Sequence, residues 1–272
     1  MRHDLLCSPS CWLARPACAG TLLLAIALAA PQPAAGSADV AGETLVFRSP
    51  SGVEERCVML ARMPGAAYRD AELREEKAMC AIDLHSRTHA MCPKLFSTSP
   101  GTLVYDVSSG PCAGRAADFE RDVCPRGHAV EKEAVDEPVS FKMSVNTPAT
   151  SATFANSSLI YYHFARYFDT IVHVPPAVLR SVDRQAHLAR VAGPGEALSS
   201  GRPALKQNHA AWQALARAER DPESHLPADE LFTADRRAVY GVLLHPRGRR
   251  YGEEINGSRK SGWGNGQNRD FQ

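Results

Sequence analysis

The sequence predicts an α+β fold: a disulfide-braced N-terminal subdomain, followed by a small mixed sheet packed with helices. Three observations lead there. Residues 138–183 read as a strand, a polar loop, an amphipathic helix and a second strand. Five cysteines (Cys57, Cys80, Cys92, Cys112 and Cys124) crowd one stretch, and none follows Cys124. Between these regions, residues 131–137 are acidic and lack an apolar stripe, as a linker would. Of the 272 residues, 44% are hydrophobic and 22% charged, the balance of a globular chain rather than a disordered one.

The chain opens with a leader, residues 1–38. Arg2, His3 and Arg15 precede the apolar run 21–30 (TLLLAIALAA), and small residues with prolines follow up to Asp39. This is the layout of a secretory signal peptide, with cleavage after Gly36 or Ala38. The run is shorter than the ~20 apolar residues needed to span a bilayer, so no transmembrane span is expected after cleavage. Export, to the periplasm or the extracellular space, permits disulfides. Cys7, Cys11 and Cys18 leave with the leader, and the remaining count is odd. One thiol is therefore expected to be unpaired or bridged to another molecule.

The cysteine-containing subdomain is placed at 39–130. Residues 44–48 (TLVFR) and 56–62 (RCVMLAR) are short strands around the turn at 49–52. Residues 66–82 form a helix with Ala71, Leu73, Met79 and Ile82 as apolar positions. Glu72, Arg74, Glu75, Glu76 and Lys77 give it a solvated face. A strand is expected over 102–107 after a Pro-Gly turn, and a short helix over 116–124.

The second subdomain is placed at 138–244. Along residues 139–145, Val139, Phe141, Met143 and Val145 alternate with Ser140, Lys142 and Ser144, so the strand is half-buried. In the helix that Asn156 or Ser157 caps, Ile160, Tyr161, Phe164, Ala165 and Phe168 make one apolar face, with His163 and Arg166 elsewhere. Pro175 and Pro176 break the strand pattern at 171–182, which points to an edge or kinked strand. A short helix containing His187–Val191 leads into a loop at 192–203, and a helix over 208–220 turns Trp212, Leu215 and Ala216 inward. Residues 238–244 (AVYGVLL) are the last strand. The Gly/Arg-rich tail 245–272 has no core pattern, and its glycines match no phosphate-binding loop spacing.

Few motifs carry chemistry. Cys80, His85, His89 and Cys92 are spaced C-x4-H-x3-H-x2-C, a ligand set that suits tetrahedral zinc. In an exported chain the competing reading is a Cys80–Cys92 disulfide with two surface histidines, and it is the one expected. A serine–histidine hydrolase lacks its G-x-S-x-G elbow. A net charge of +1 supplies no field for nucleic acid, which is not an expected partner.

One resemblance adds to this. Lys142 in SFKMS, the helix SLIYYHFARYF and the proline-bearing strand VHVPPAVLR look like the small lobe of atypical kinases, the toxin-kinase and secretory-pathway group. Together with the tail RYGEEINGSRKSGWGNGQNRDFQ, the run also resembles a family of uncharacterised exported bacterial proteins that brings no activity with it. The kinase resemblance implies that Lys142 holds nucleotide phosphates as a point charge. The helix at 157–168 has no glutamate to pair with that lysine, and no catalytic-loop aspartate follows. The resemblance thus implies a partial copy without the catalytic half. The expectation is an exported, non-catalytic binding or interaction module that needs no cofactor. The alternative is a kinase-like nucleotide or phosphate binder centred on Lys142.

Overall fold

A computed structural model describes residues 42–97, 99–127, 138–145, 154–170, 174–225 and 230–245. The expected leader, the linker 131–137 and the tail beyond His245 lie outside the described residues. The strands are β1 (Glu43–Arg48), β2 (Glu54–Met59), β3 (His89–Pro93), β4 (Gly101–Asp106), β5 (Val139–Met143), β6 (Ala177–Asp183) and β7 (Ala238–Leu244). The helices are α1 (Asp70–Cys80), α2 (Ala116–Asp122), α3 (Ser157–Tyr167), α4 (Arg184–His187), α5 (Gly193–Ser199) and α6 (Lys206–Arg220).

All seven strands join one sheet in the order β1-β2-β6-β7-β5-β4-β3. Every pairing is antiparallel, which corrects the mixed sheet. The two hairpins of the cysteine-rich half form the two edges of this sheet, and β5, β6 and β7 from the later half form its middle. An isolated hairpin is marginal in water, and joining a wider sheet is how each buries its apolar side.

Strand alternation sorts the core. One sheet face carries Cys57, Met91, Val104, Phe141, Val178 and Val239, in one cluster with Met79 and Cys80 of α1, Val191, and Trp212 and Leu215 of α6, which are buried as expected. On the opposite face, α2 covers Leu103 and Tyr105 at one end of the sheet. At the other end, α3 covers Ala177, Val242 and Leu244.

The disulfides follow from these faces. Cys57 bonds Cys80, and Cys92 bonds Cys124. The expected Cys80–Cys92 bridge does not form. Alternation turns Cys92 onto the α2 face, while Cys80 packs with Cys57 on the other. Cys112 is disulfide-bonded too, so the unpaired thiol expected from the odd count is not among the described residues.

Three element readings change. Pro175 and Pro176 precede β6 rather than interrupt it, so β6 keeps its ladder donors and sits inside the sheet between β2 and β7. The loop expected at 192–203 begins as helix: a π-turn (Leu188–Ala192) runs into α5, absorbing Pro194 at its start. There Gly195 is required by packing, since a Cβ would stand 2.4 Å from the Trp212 ring.

The largest change is α3, which is turned the opposite way to expectation. Leu159, Tyr162, His163, Ala165 and Arg166 are buried, while Ile160, Tyr161, Phe164 and Phe168 are exposed. The cause is on α1, where Glu72 and Glu76 are buried rather than solvated. The Tyr162 hydroxyl donates to Glu76 at 2.6 Å, and Arg62 donates to both oxygens of the same carboxylate at 2.8 and 2.9 Å. Arg166 pairs with Glu72 at 3.4 Å. A buried charge is tolerated when it is paired, and a pattern of apolar residues does not reveal such partners.

Candidate functional site

Lys142 lies on β5, and its neighbours on the sheet are fixed by register. Lys142 pairs with Gly101 of β4 on one side and Val242 of β7 on the other. Lys94 extends β3 by one residue beyond the Pro93–Thr102 pair, and its amide donates to the Gly101 carbonyl at 2.9 Å. Ala90 and Cys92 face α2, so alternation places Lys94 on the same face as Lys142. Lys94, Gly101 and Lys142 therefore form one row across three strands. The middle position has no side chain, and a Cβ there would meet nothing nearer than the Phe141 carbonyl oxygen at 3.5 Å.

Neither ammonium has a carboxylate partner among the described residues. Both side chains are partly buried. Burial holds the Lys142 pKa below the ordinary lysine value, and burial followed by the nearby Lys142 charge does the same to Lys94. In the adjacent row on this face, Ser140 sits between Leu103 and Leu244, buried and with no hydrogen-bond partner for its hydroxyl. The row therefore places two partly buried cations on either side of a glycine gap. Lys94 was not singled out in the sequence. The only signal for it was the alternation Ala90, Cys92, Lys94, which the disulfide reading obscured.

At the opposite end of the sheet is a cleft of about 780 Å³ lined by Ser51, His85, Arg87, Arg115, Asp183 and Arg190. The His85 Nε2 proton goes to fully buried Glu55 at 2.7 Å, and Glu55 also accepts the Asp183 amide at 2.6 Å. Ser49 and Ser51 donate to Asp183, which caps α4 through the Gln185 amide. Burial alone would raise the Asp183 pKa, but these hydrogen bonds outweigh it and hold the carboxyl below its usual range. Among the described residues no hydroxyl or thiol of the cleft bonds to His85, whose Nε2 is held by Glu55; the cleft's Ser86 hydroxyl bonds His89 Nδ1 at 2.9 Å instead.

A second histidine relay is structural. Thr102 donates to His187 Nε2 at 2.9 Å, and His187 Nδ1 donates to Glu219 at 2.7 Å. All three are buried, with Glu219 reaching from α6 to His187 of α4 and Thr102 of β4. The zinc spacing is also dissolved. Cys80 and Cys92 belong to different disulfides, His85 is engaged by Glu55, and His89 bonds the Ser86 hydroxyl at 2.9 Å. No group of three metal-ligating side chains occurs among the described residues.

No family model matches this chain, and neither a curated protein nor a solved structure matches it.

Proposed function

We propose that this protein is a non-catalytic binding module that takes a small anion of the phosphate class at the row Lys94–Gly101–Lys142. The observation that carries the proposal is the pairing of two partly buried lysines, without carboxylate partners among the described residues, across a side-chain-free position. Such an arrangement stores unfavourable electrostatic energy that an anion relieves. An exported setting fits the two disulfides and the absence of any membrane-crossing helix among the described residues.

The test is thermal unfolding of the intact chain with inorganic phosphate, pyrophosphate or magnesium-ATP against chloride at matched ionic strength. A ligand at 100 times its Kd adds about 2.7 kcal/mol, which raises the Tm of a domain this size by roughly 5–10 °C. Lys142→Met should abolish the shift, and Lys94→Met should weaken it. A response to magnesium-ATP that exceeds that to pyrophosphate would favour the kinase-like reading of Lys142. Equal Tm values in all four solutions at 10-fold excess over typical millimolar affinities would overturn anion binding at this row.

A further inference from the structure

Among the described residues, eight large hydrophobic side chains are exposed, and six of them lie within residues 154–168. They are Phe154 (52% exposed), Ile160 (44%), Tyr161 (65%), Phe164 (47%), Tyr167 (49%) and Phe168 (67%). This is the outward face of α3, left open when the helix turned its Glu-paired side inward. The concentration is not the scatter of single apolar residues that any surface shows.

The face is already organised as an interface core. Phe164 and Phe168 rings stand 6.0 Å apart, and Tyr167 meets Phe168 edge-on at 5.1 Å. Ile160, Phe164 and Phe168 make an i, i+4, i+8 ridge, the element that packs into the groove of a like helix. Ile160 and Phe164 have no charged neighbour on the helix, because the one charged residue of α3, Arg166, is buried; the exposed Asp169 follows Phe168 and marks the polar rim.

We infer that α3 pairs with α3 of a second copy in a two-fold symmetric dimer. Three observations select a second copy. First, the patch is self-complementary: an aromatic ridge without charge meets an identical one at no electrostatic cost, and Phe164, mid-helix, falls next to the axis. Second, with a net charge of +1, the chain has no global repulsion to overcome on meeting itself. Third, the area suffices. A buried aromatic side chain covers about 150–250 Å², so five half-exposed ones together with Ile160 offer roughly 600 Å². With a polar rim this approaches the ~800 Å² per partner of a standard interface.

Sedimentation of the intact protein tests this. The wild type should sediment at twice the chain mass at about 10 μM, a concentration at which μM-class interfaces are populated. Phe164→Glu places two like charges beside the axis and should weaken dimerisation at least 100-fold, as should Tyr161→Glu. Phe96→Glu removes an equally exposed ring away from α3, and it should leave the dimer intact. Phe164→Cys should form a covalent dimer under oxidation, whereas Phe96→Cys should not. All these positions are exposed, and circular dichroism will show that each variant is folded. A monomeric wild type, or a Phe164→Glu protein as dimeric as the wild type, overturns the inference; a wild type that binds only a different protein or a vesicle through this face does so too.

Discussion

Replacing Lys142 with methionine should make the protein more stable. The side chain keeps its length and loses its charge. Two strand spacings of about 4.8 Å put the Cα atoms of Lys94 and Lys142 roughly 10 Å apart. Two like charges at that distance repel by about 1.7 kcal/mol at an effective dielectric of 20 and about 0.4 kcal/mol in bulk water. Side chains that are partly buried fall between these limits, so the repulsion is about 1 kcal/mol. Partial desolvation of the ammonium adds to the gain when the charge is removed. Lys142→Met is therefore expected to stabilise by about 1 kcal/mol, and Lys94→Met by a similar amount. The double variant should gain less than the sum, because the first change already ends the repulsion. Urea unfolding at pH 7 in low salt measures all four proteins. In 1 M salt the single-variant gains should shrink, since the Debye length falls to about 3 Å. The reasoning is refuted if both single variants are destabilised by 1 kcal/mol or more. It is equally refuted if the two effects add without coupling.

Other outcomes follow from named contacts. The His163 pKa is pushed down to about 4, first by burial and then by Arg62; its Nδ1 accepts the Tyr68 hydroxyl at 2.6 Å, and its Nε2 has no partner. Because the folded value lies below the unfolded one near 6.5, stability should be full above pH 6.5 and decline as pH falls toward 4. About 2 kcal/mol should be gone by pH 5. His163→Phe should flatten that part of a stability–pH curve. Gly195→Ala drives a methyl to within 2.4 Å of the Trp212 ring, and should cost about 2–3 kcal/mol by chemical denaturation. Replacing Cys57 and Cys80 together by alanine opens a loop with a sequence separation of 23, and should cost about 3 kcal/mol, read as a fall in the urea midpoint.

Much of the secondary structure was legible because it rests on local periodicity. The alternation of Val139, Phe141 and Met143 set the buried face of β5, and the structure places all three in the large cluster. Trp212, Leu215 and Ala216 declared the inner face of α6 in the same way. Periodicity failed where a polar partner came from elsewhere in the chain. The stripe Ile160, Tyr161, Phe164 has a sound amphipathic pattern, yet α3 buries His163 and Arg166 instead. Glu72 and Glu76 of α1 decide that rotation through Arg166 and Tyr162, and nothing in the α3 sequence contains them.

The candidate site divides along the same line. That Lys142 points away from Val139, Phe141 and Met143 was determined by the sequence alone, because side-chain direction along a strand has a period of two; that Ser140 and Ser144 on its side are buried too, so that the strand is not half-buried as expected, was not. So was the capacity for disulfides. Only the tertiary structure decided that Lys94 shares the row of Lys142, that Gly101 lies between them, and that Cys57 rather than Cys92 meets Cys80. Alternation chooses a face, but neighbours across a sheet are chosen by which strands pack together. That depends on the burial of the whole molecule and is not encoded in any short stretch of it.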